Sequence, residues 1–334
     1  MKRIVVLCDG TWQGTDSASA TNVCRLARAI SPIATDGTTQ LILYYPGIGA
    51  DQRFGKLSAG AFGRGIDAAI QHVYRDLIHN VSEDDQLFLF GFSRGAYTVR
   101  SVIGLIRNCG LLHRAHAGDI GRAYEIYRTR WGPDADNAVP FRTSRSRSVS
   151  VRFLGVWDTV GALGIPLALF DGLNSARYAF HDTRISRIVN QACHALAIDE
   201  RRNVFEPTLW KTDATRRLTE QRWFSGSHGD IGGSFSQRGL ARISLTWMAQ
   251  RAADAGLDLD TAILHQHEDA EERLHTHIPL PFRLFGTSQR EIGRHNHDET
   301  LDPTAEQRFL RDADYRPGNL RRYLQLNDQI QLPL

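Results

Sequence analysis

Gly91-Phe92-Ser93-Arg94-Gly95 sets a serine between two glycines, directly after the apolar run Leu87 to Phe90 and directly before a helical pattern that opens at Ala96. A strand, a sharp turn and a helix in that order push the hydroxyl into a cleft, and the flanking glycines relieve crowding at the turn. A serine hydroxyl is a poor nucleophile at neutral pH. It needs a histidine to take its proton and an acid to hold that histidine in the correct tautomer. The partners are expected downstream in the order acid, then histidine. Asp158 follows the apolar run Arg152 to Trp157, which puts a carboxylate at the carboxyl end of a strand; its other reading is as a cap of the turn it begins. His228 lies in Trp223-Phe-Ser-Gly-Ser-His-Gly-Asp-Ile-Gly-Gly233, a glycine-lined loop after a further strand. Ser93, Asp158 and His228 are therefore the expected nucleophile, acid and base, and the amide of Arg94 is the first expected oxyanion donor. Asp230, two residues from His228, competes as the acid but is expected to shape the loop. His194 is expected to support or line the pocket.

An earlier loop offers the second oxyanion donor. Ile4 to Cys8 runs into Asp9-Gly10-Thr11-Trp12, which invites comparison with the Asp-x-Asp-Gly-Thr signature of haloacid-dehalogenase-like phosphatases. That comparison fails because the nucleophilic aspartate would fall on Leu7. The better reading takes an oxyanion N–H from Gly10 or Thr11, with Asp9 and Trp12 in support. Three His-x-His pairs, 265/267, 275/277 and 295/297, lack the acidic or cysteine companions of a metal site and read as surface histidines. No metal and no cofactor is expected.

The elements that must hold these residues alternate. Strand-length apolar runs at Arg3 to Cys8, Leu41 to Tyr45, Gln86 to Phe92, Val151 to Trp157 and Arg222 to Phe224 are separated by helical patterns. The helices are expected at Asn22 to Ile30, Ile66 to Asn80, Ala96 to Asn108, Arg184 to Ala197 and Arg238 to Ala255. That alternation predicts an α/β fold with a mostly parallel central sheet, helices on both faces, and chemistry at the carboxyl ends of the strands. Phe54 to Gly65, Thr143 to Ser150 and Leu163 to Leu173 read as loop insertions. A single domain over 1–334 is expected, with a core at about 2–256 and a proline-bearing extension, 257–334, that wraps it instead of forming a second sheet.

Bulk properties exclude more than they assign. A formal charge of +3 over 334 residues gives no argument for nucleic acid as a partner. Four widely spaced cysteines suggest neither a disulfide framework nor a zinc module. The apolar run near the N-terminus is too short for a secretory signal, and nothing is long enough to span a membrane. A cytoplasmic protein is expected, with export by a route that uses no cleavable signal as the alternative.

Cys8 to Trp12, Gly91 to Gly95, Gly155-Val-Trp-Asp-Thr-Val160, Ala195-Leu-Ala-Ile-Asp-Glu200 and Trp223 to Gly233 together resemble a bacterial and fungal α/β-hydrolase family that includes the phospholipase effectors of type VI secretion systems. The resemblance covers roughly Lys2 to Arg251. It implies a Ser93, Asp158, His228 triad and hydrolysis of acyl esters, with phospholipids as substrates of the secreted members. The expected partner is a small-molecule or lipid ester, with peripheral membrane contact. A small-molecule carboxylesterase and a non-catalytic binding module on the same fold stand as alternatives.

Overall fold

A computed structural model describes residues 1–10, 20–47, 59–129, 132–161, 184–211, 218–264, 268–293 and 298–326. Strand β1 (Arg3–Cys8) is buried along its whole length. Burial on both faces is what a continuous apolar run predicts for a central parallel strand. Around it lie β2 (Gln40–Tyr45) and β3 (Gln86–Phe92). A short antiparallel ribbon, β4 (Leu111–Leu112) with β5 (Ser146–Arg147), stands apart from the sheet. Then follow β6 (Val151–Trp157), β7 (Val189–Ala197), β8 (Leu218–Phe224) and β9 (Glu299–Leu301). The sheet runs β2-β1-β3-β6-β7-β8-β9, and every pairing among these described strands is parallel.

Because successive side chains of a strand point to opposite faces, β1 feeds two cores. Ile4 and Val6 pack with α2 (Ala59–Asn80), α3 (Arg94–Cys109), α4 (Ile120–Arg128) and α5 (Ala138–Arg145). Val5 and Leu7 pack on the other face with α1 (Asn22–Ala29) and α7 (Gly239–Asp254). One turn of helix, α6 (His228–Gly232), lies between β8 and α7. The chain leaves β1 toward β2 on one side and continues from β3 on the other. Loops therefore diverge between the carboxyl ends of β1 and β3, the position where open α/β sheets hold their ligands.

Three expectations need correction. Arg184 to Ala197 is not a helix: its last nine residues are β7, buried between β6 and β8. The sequence Val-Asn-Gln-Ala-Cys-His-Ala-Leu-Ala is rich in good helix formers, and tertiary burial overrides that preference. Of the Phe54 to Gly65 loop, residues 59–65 are the start of α2. The Thr143 to Ser150 segment ends α5 and supplies β5. Leu163 to Leu173 lies outside the described residues.

The segment after residue 257 does more than wrap the core. It adds β9 to the edge of the main sheet, and Ile292, Ala305, Phe309, Tyr315, Leu320 and Leu324 pack on Leu196, Ile198 and Trp223.

Candidate active site

Ser93 follows β3 directly and precedes the first residue of α3. Its backbone takes φ 57° and ψ −117°, a strained combination for a residue with a side chain. The glycines on either side are required by contact. A Cβ on Gly95 would lie 2.0 Å from the Cys8 carbonyl oxygen, and one on Gly91 would lie 2.6 Å from the Ala96 nitrogen. The turn can thus form only where α3 comes down tightly onto the end of β1.

The Ser93 hydroxyl donates to His228 Nε2 at 2.9 Å. His228 Nδ1–H donates to Asp158 Oδ2 at 2.6 Å. Asp158 sits just past β6 at φ 40°, a second non-glycine residue in the left-handed region. The imidazole lies between two aromatic rings, Phe92 with centroids 4.7 Å away and Phe205 stacked at 4.8 Å. Serine, histidine and aspartate are all buried. Such an arrangement can deprotonate an alcohol and hold the resulting imidazolium against a carboxylate.

Asp158 is fully buried, and burial pushes its carboxyl up. The Arg290 charge and the His228 hydrogen bond act the other way and leave it well below the usual carboxylate range. Arg290 Nη1 donates to Oδ1 at 2.7 Å and Nη2 to Oδ2 at 3.0 Å, and the Ala197 amide donates to Oδ1 at 3.1 Å.

The loop carrying His228 is held from both ends. Glu200 Oε2 accepts the His228 amide at 3.2 Å, while Arg202 pairs with the same carboxylate. Asp230 accepts the Ser227 amide at 2.8 Å and pairs with His275 Nδ1 at 2.6 Å. Asp230 therefore braces the loop and makes no contact with His228 Nδ1, which Asp158 occupies. His275 is accordingly an anchored side chain, not one of the free surface histidines expected; 265/267 and 295/297 lie outside the described residues. His194 is on β7, where its Nε2 accepts the Thr159 amide at 3.1 Å, and burial drives its pKa down to about 3. It supports the turn after Asp158 as a neutral ring.

Gly10 lies against the nucleophile: a Cβ there would stand 3.6 Å from Ser93 Cβ. Its amide, however, donates to Asp9 Oδ1 at 2.7 Å, so in this conformation it serves the turn and not an oxyanion. Asp9 Oδ2 further accepts from Thr21 and Tyr44, each at 2.7 Å. Thr11 and Trp12 lie outside the described residues. Arg94 opens α3, where the first amides of a helix have no partner within the helix.

Sequence reasoning missed Arg290, Glu200, Phe205 and His275. Glu200 belonged to a recognised block but carried no assigned role. Arg290 lies in the polar tail, where no motif marks it, and His275 stood out only as half of a His-x-His pair read as surface histidines.

Asp199 gives a pH-dependent prediction. Its Oδ2 accepts the Gly226 amide at 2.8 Å and the Tyr315 hydroxyl at 2.9 Å, and burial raises its pKa from 3.8 to about 6. The folded state therefore binds this proton more tightly than the unfolded state. Its stabilising contribution is complete below about pH 4 and is lost as pH rises through about 6, a swing of about 3 kcal/mol. Asp199→Asn does not titrate there, so it should gain on wild type by about that much between pH 4 and 7. Urea unfolding of both proteins at the two pH values checks this; a difference that stays constant refutes it.

The fold is that of the α/β hydrolases, and Ser93, His228 and Asp158 stand in hydrogen-bond contact past the carboxyl ends of its strands. Residues 2–251 match the family described as the catalytic domain of type VI secretion (T6SS) Tle1-like phospholipase effectors, and the chain belongs to that family. An uncharacterized protein of Saccharomyces cerevisiae, YEL023C, is 29% identical over 255 residues, which is 66% of this chain and 36% of the yeast protein. The chain thus spans about a third of that relative's length. Similar solved structures include an uncharacterized protein from Pseudomonas aeruginosa (17% identity, TM-score 0.49, 77% of this chain and 46% of that one). Another is a Tle1 effector bound to the VgrG spike of a type VI secretion system (19% identity, TM-score 0.42, 70% and 51%). Among the described residues, no helix is long and apolar enough to cross a membrane.

Proposed function

We propose that this chain hydrolyses carboxylic esters, with lipid esters as its substrates, through an acyl-enzyme on Ser93. The observation that carries the reading is the continuous path from Ser93 Oγ to His228 Nε2 at 2.9 Å and from His228 Nδ1 to Asp158 at 2.6 Å, with the serine on a strained turn at a helix start. His228 takes the serine proton as Ser93 Oγ attacks the acyl carbon, and the Arg94 amide at the start of α3 donates to the oxyanion. A further donor would come from the loop that follows Asp9 and Gly10. His228 then protonates the departing alcohol, and a water activated by the same histidine releases the acid.

A lipid preference is supported by what surrounds the histidine. Phe205, stacked on His228, lies 5.8 Å from Phe282, and, two residues either side of Phe282 in the sequence, Leu280 and Leu284 are 72% and 81% exposed. Apolar side chains exposed on the segment that packs on Phe205 suit contact with acyl chains at a lipid surface. Family membership points the same way, toward phospholipids.

Fluorophosphonate labelling followed by peptide mapping, with turnover of p-nitrophenyl esters of increasing chain length and of phospholipid vesicles, tests this. The expected result is a label on Ser93 and rising kcat/KM with acyl length. Preference for short soluble esters would make the protein a small-molecule carboxylesterase. No label and no turnover would leave a binding module on a hydrolase fold.

A further inference from the structure

Arg290 lies beyond the residues matched by the family, yet it meets both carboxylate oxygens of Asp158. Its side chain is 2% exposed and that of Asp158 is 0% exposed. The guanidinium meets both carboxylate oxygens, at 2.7 and 3.0 Å, in the bidentate geometry that suits an arginine fork. Its other contacts are backbone carbonyls: Nη1 donates to Ala197 at 2.9 Å, and Nη2 donates to Phe205. Phe205 is the residue stacked on His228. One cation therefore touches the acid and the backbone of the residue that flattens the base.

In a resting serine hydrolase the histidine is neutral, so it supplies Asp158 with a hydrogen bond and no charge. A carboxylate with no solvent exposure and no counter-ion would take up a proton instead. We infer that Arg290 is a positioning residue that keeps Asp158 ionised while His228 is neutral, so that the catalytic unit includes a cation delivered by the C-terminal extension. This rests on the hydrolase reading above. Burial and the Asp158 charge oppose each other on the guanidinium, and its pKa ends above the ordinary arginine value. Arg290 thus stays charged wherever the enzyme works.

The pair works within a defined electrostatic setting. Glu200 accepts the His228 amide and is neutralised by Arg202. Glu206 adds negative charge near Arg290, and His194 behind the Asp158 turn is neutral, held down to about 3 by burial. Arg290 is the cation in direct contact with the acid. Removing it makes proton uptake by the coupled Asp158–His228 unit easier, because a proton no longer enters beside a fixed positive charge.

The test is the pH dependence of kcat/KM for p-nitrophenyl acetate in wild type, Arg290→Gln and Arg290→Lys. With Arg290→Gln the acidic limb should move up by about one to three pH units. Arg290→Lys keeps the charge and loses the fork, so its rate falls while its limb stays at the wild-type position. A rate in Arg290→Gln that is lower by one factor at every pH, with the limb unmoved, would mean that Arg290 only packs the extension, and the inference would be wrong. Should Arg290→Gln fail to fold, the double variant R290M/D158N decides. It folds if the arginine is needed for the buried charge, and it fails to fold if the contacts to Ala197 and Phe205 are what matter. A wild type inert toward both the ester and a fluorophosphonate sinks the hydrolase reading and this inference together, and does so before any variant is made.

Discussion

Ser93→Ala should lower kcat/KM for ester hydrolysis by roughly 10⁶-fold in a protein that remains folded. Among the described residues none replaces the lost Oγ: His228 Nε2 has the Ser93 hydroxyl as its partner, and the imidazole stays fixed by Asp158 and by the rings of Phe92 and Phe205. The rate that survives reflects binding and the helix-start amide alone. Alanine tolerates the φ 57° turn no worse than serine does, so urea unfolding should differ from wild type by less than about 1 kcal/mol. Steady-state kinetics with active-site titration, which excludes wild-type contamination, checks the rate. A loss smaller than about tenfold would mean that another group attacks the ester.

Asp158→Asn should be damaging twice over. An amide can offer N–H to His228 Nδ1 and so favour the tautomer that cannot accept the serine proton, an effect on the order of 10⁴ in kcat. It also withdraws the counter-ion from a guanidinium that is 2% exposed. Breaking a buried pair by removing one partner costs about 3 to 5 kcal/mol, because the remaining charge is stranded. Kinetics and urea unfolding on the same preparation separate the two effects. Ser93→Ala loses rate with little stability, whereas Asp158→Asn loses both. An Asp158→Asn protein as stable as wild type would contradict the ion pair, and one with full activity would remove Asp158 from the mechanism.

The parts of this site that could be read in the sequence are those whose chemistry is written locally. β1, β3 and β6 are continuous apolar runs, and Ser93 and Asp158 stand at the ends of two of them because the strand end itself projects the residue. His228 was legible because glycines crowd its loop. β7 was not legible: its alanines, leucine and cysteine carry no β-branched signal beyond Val189, and what makes them a strand is the pair of neighbours, β6 and β8, supplied by distant segments. The same limit hid Arg290 and His275. Arg290 is flagged by nothing nearby in sequence and His275 only as one of a His-x-His pair, and each acquires its role only when the tail folds back to meet a carboxylate that lies 132 residues away for Arg290 and 45 for His275.

The position of Arg290, after all three of Ser93, Asp158 and His228 in the chain, also bears on the order in which the site is assembled. Ribosomes deliver Ser93, Asp158 and His228 before residue 290, so a nascent chain holds all three side chains while the Asp158 carboxylate still lacks its Arg290 cation. On the reading proposed above, a working charge arrangement waits until residue 290 has emerged. A chain cut short before residue 290 would then hold Ser93, His228 and Asp158 and still lack the cation that meets the carboxylate.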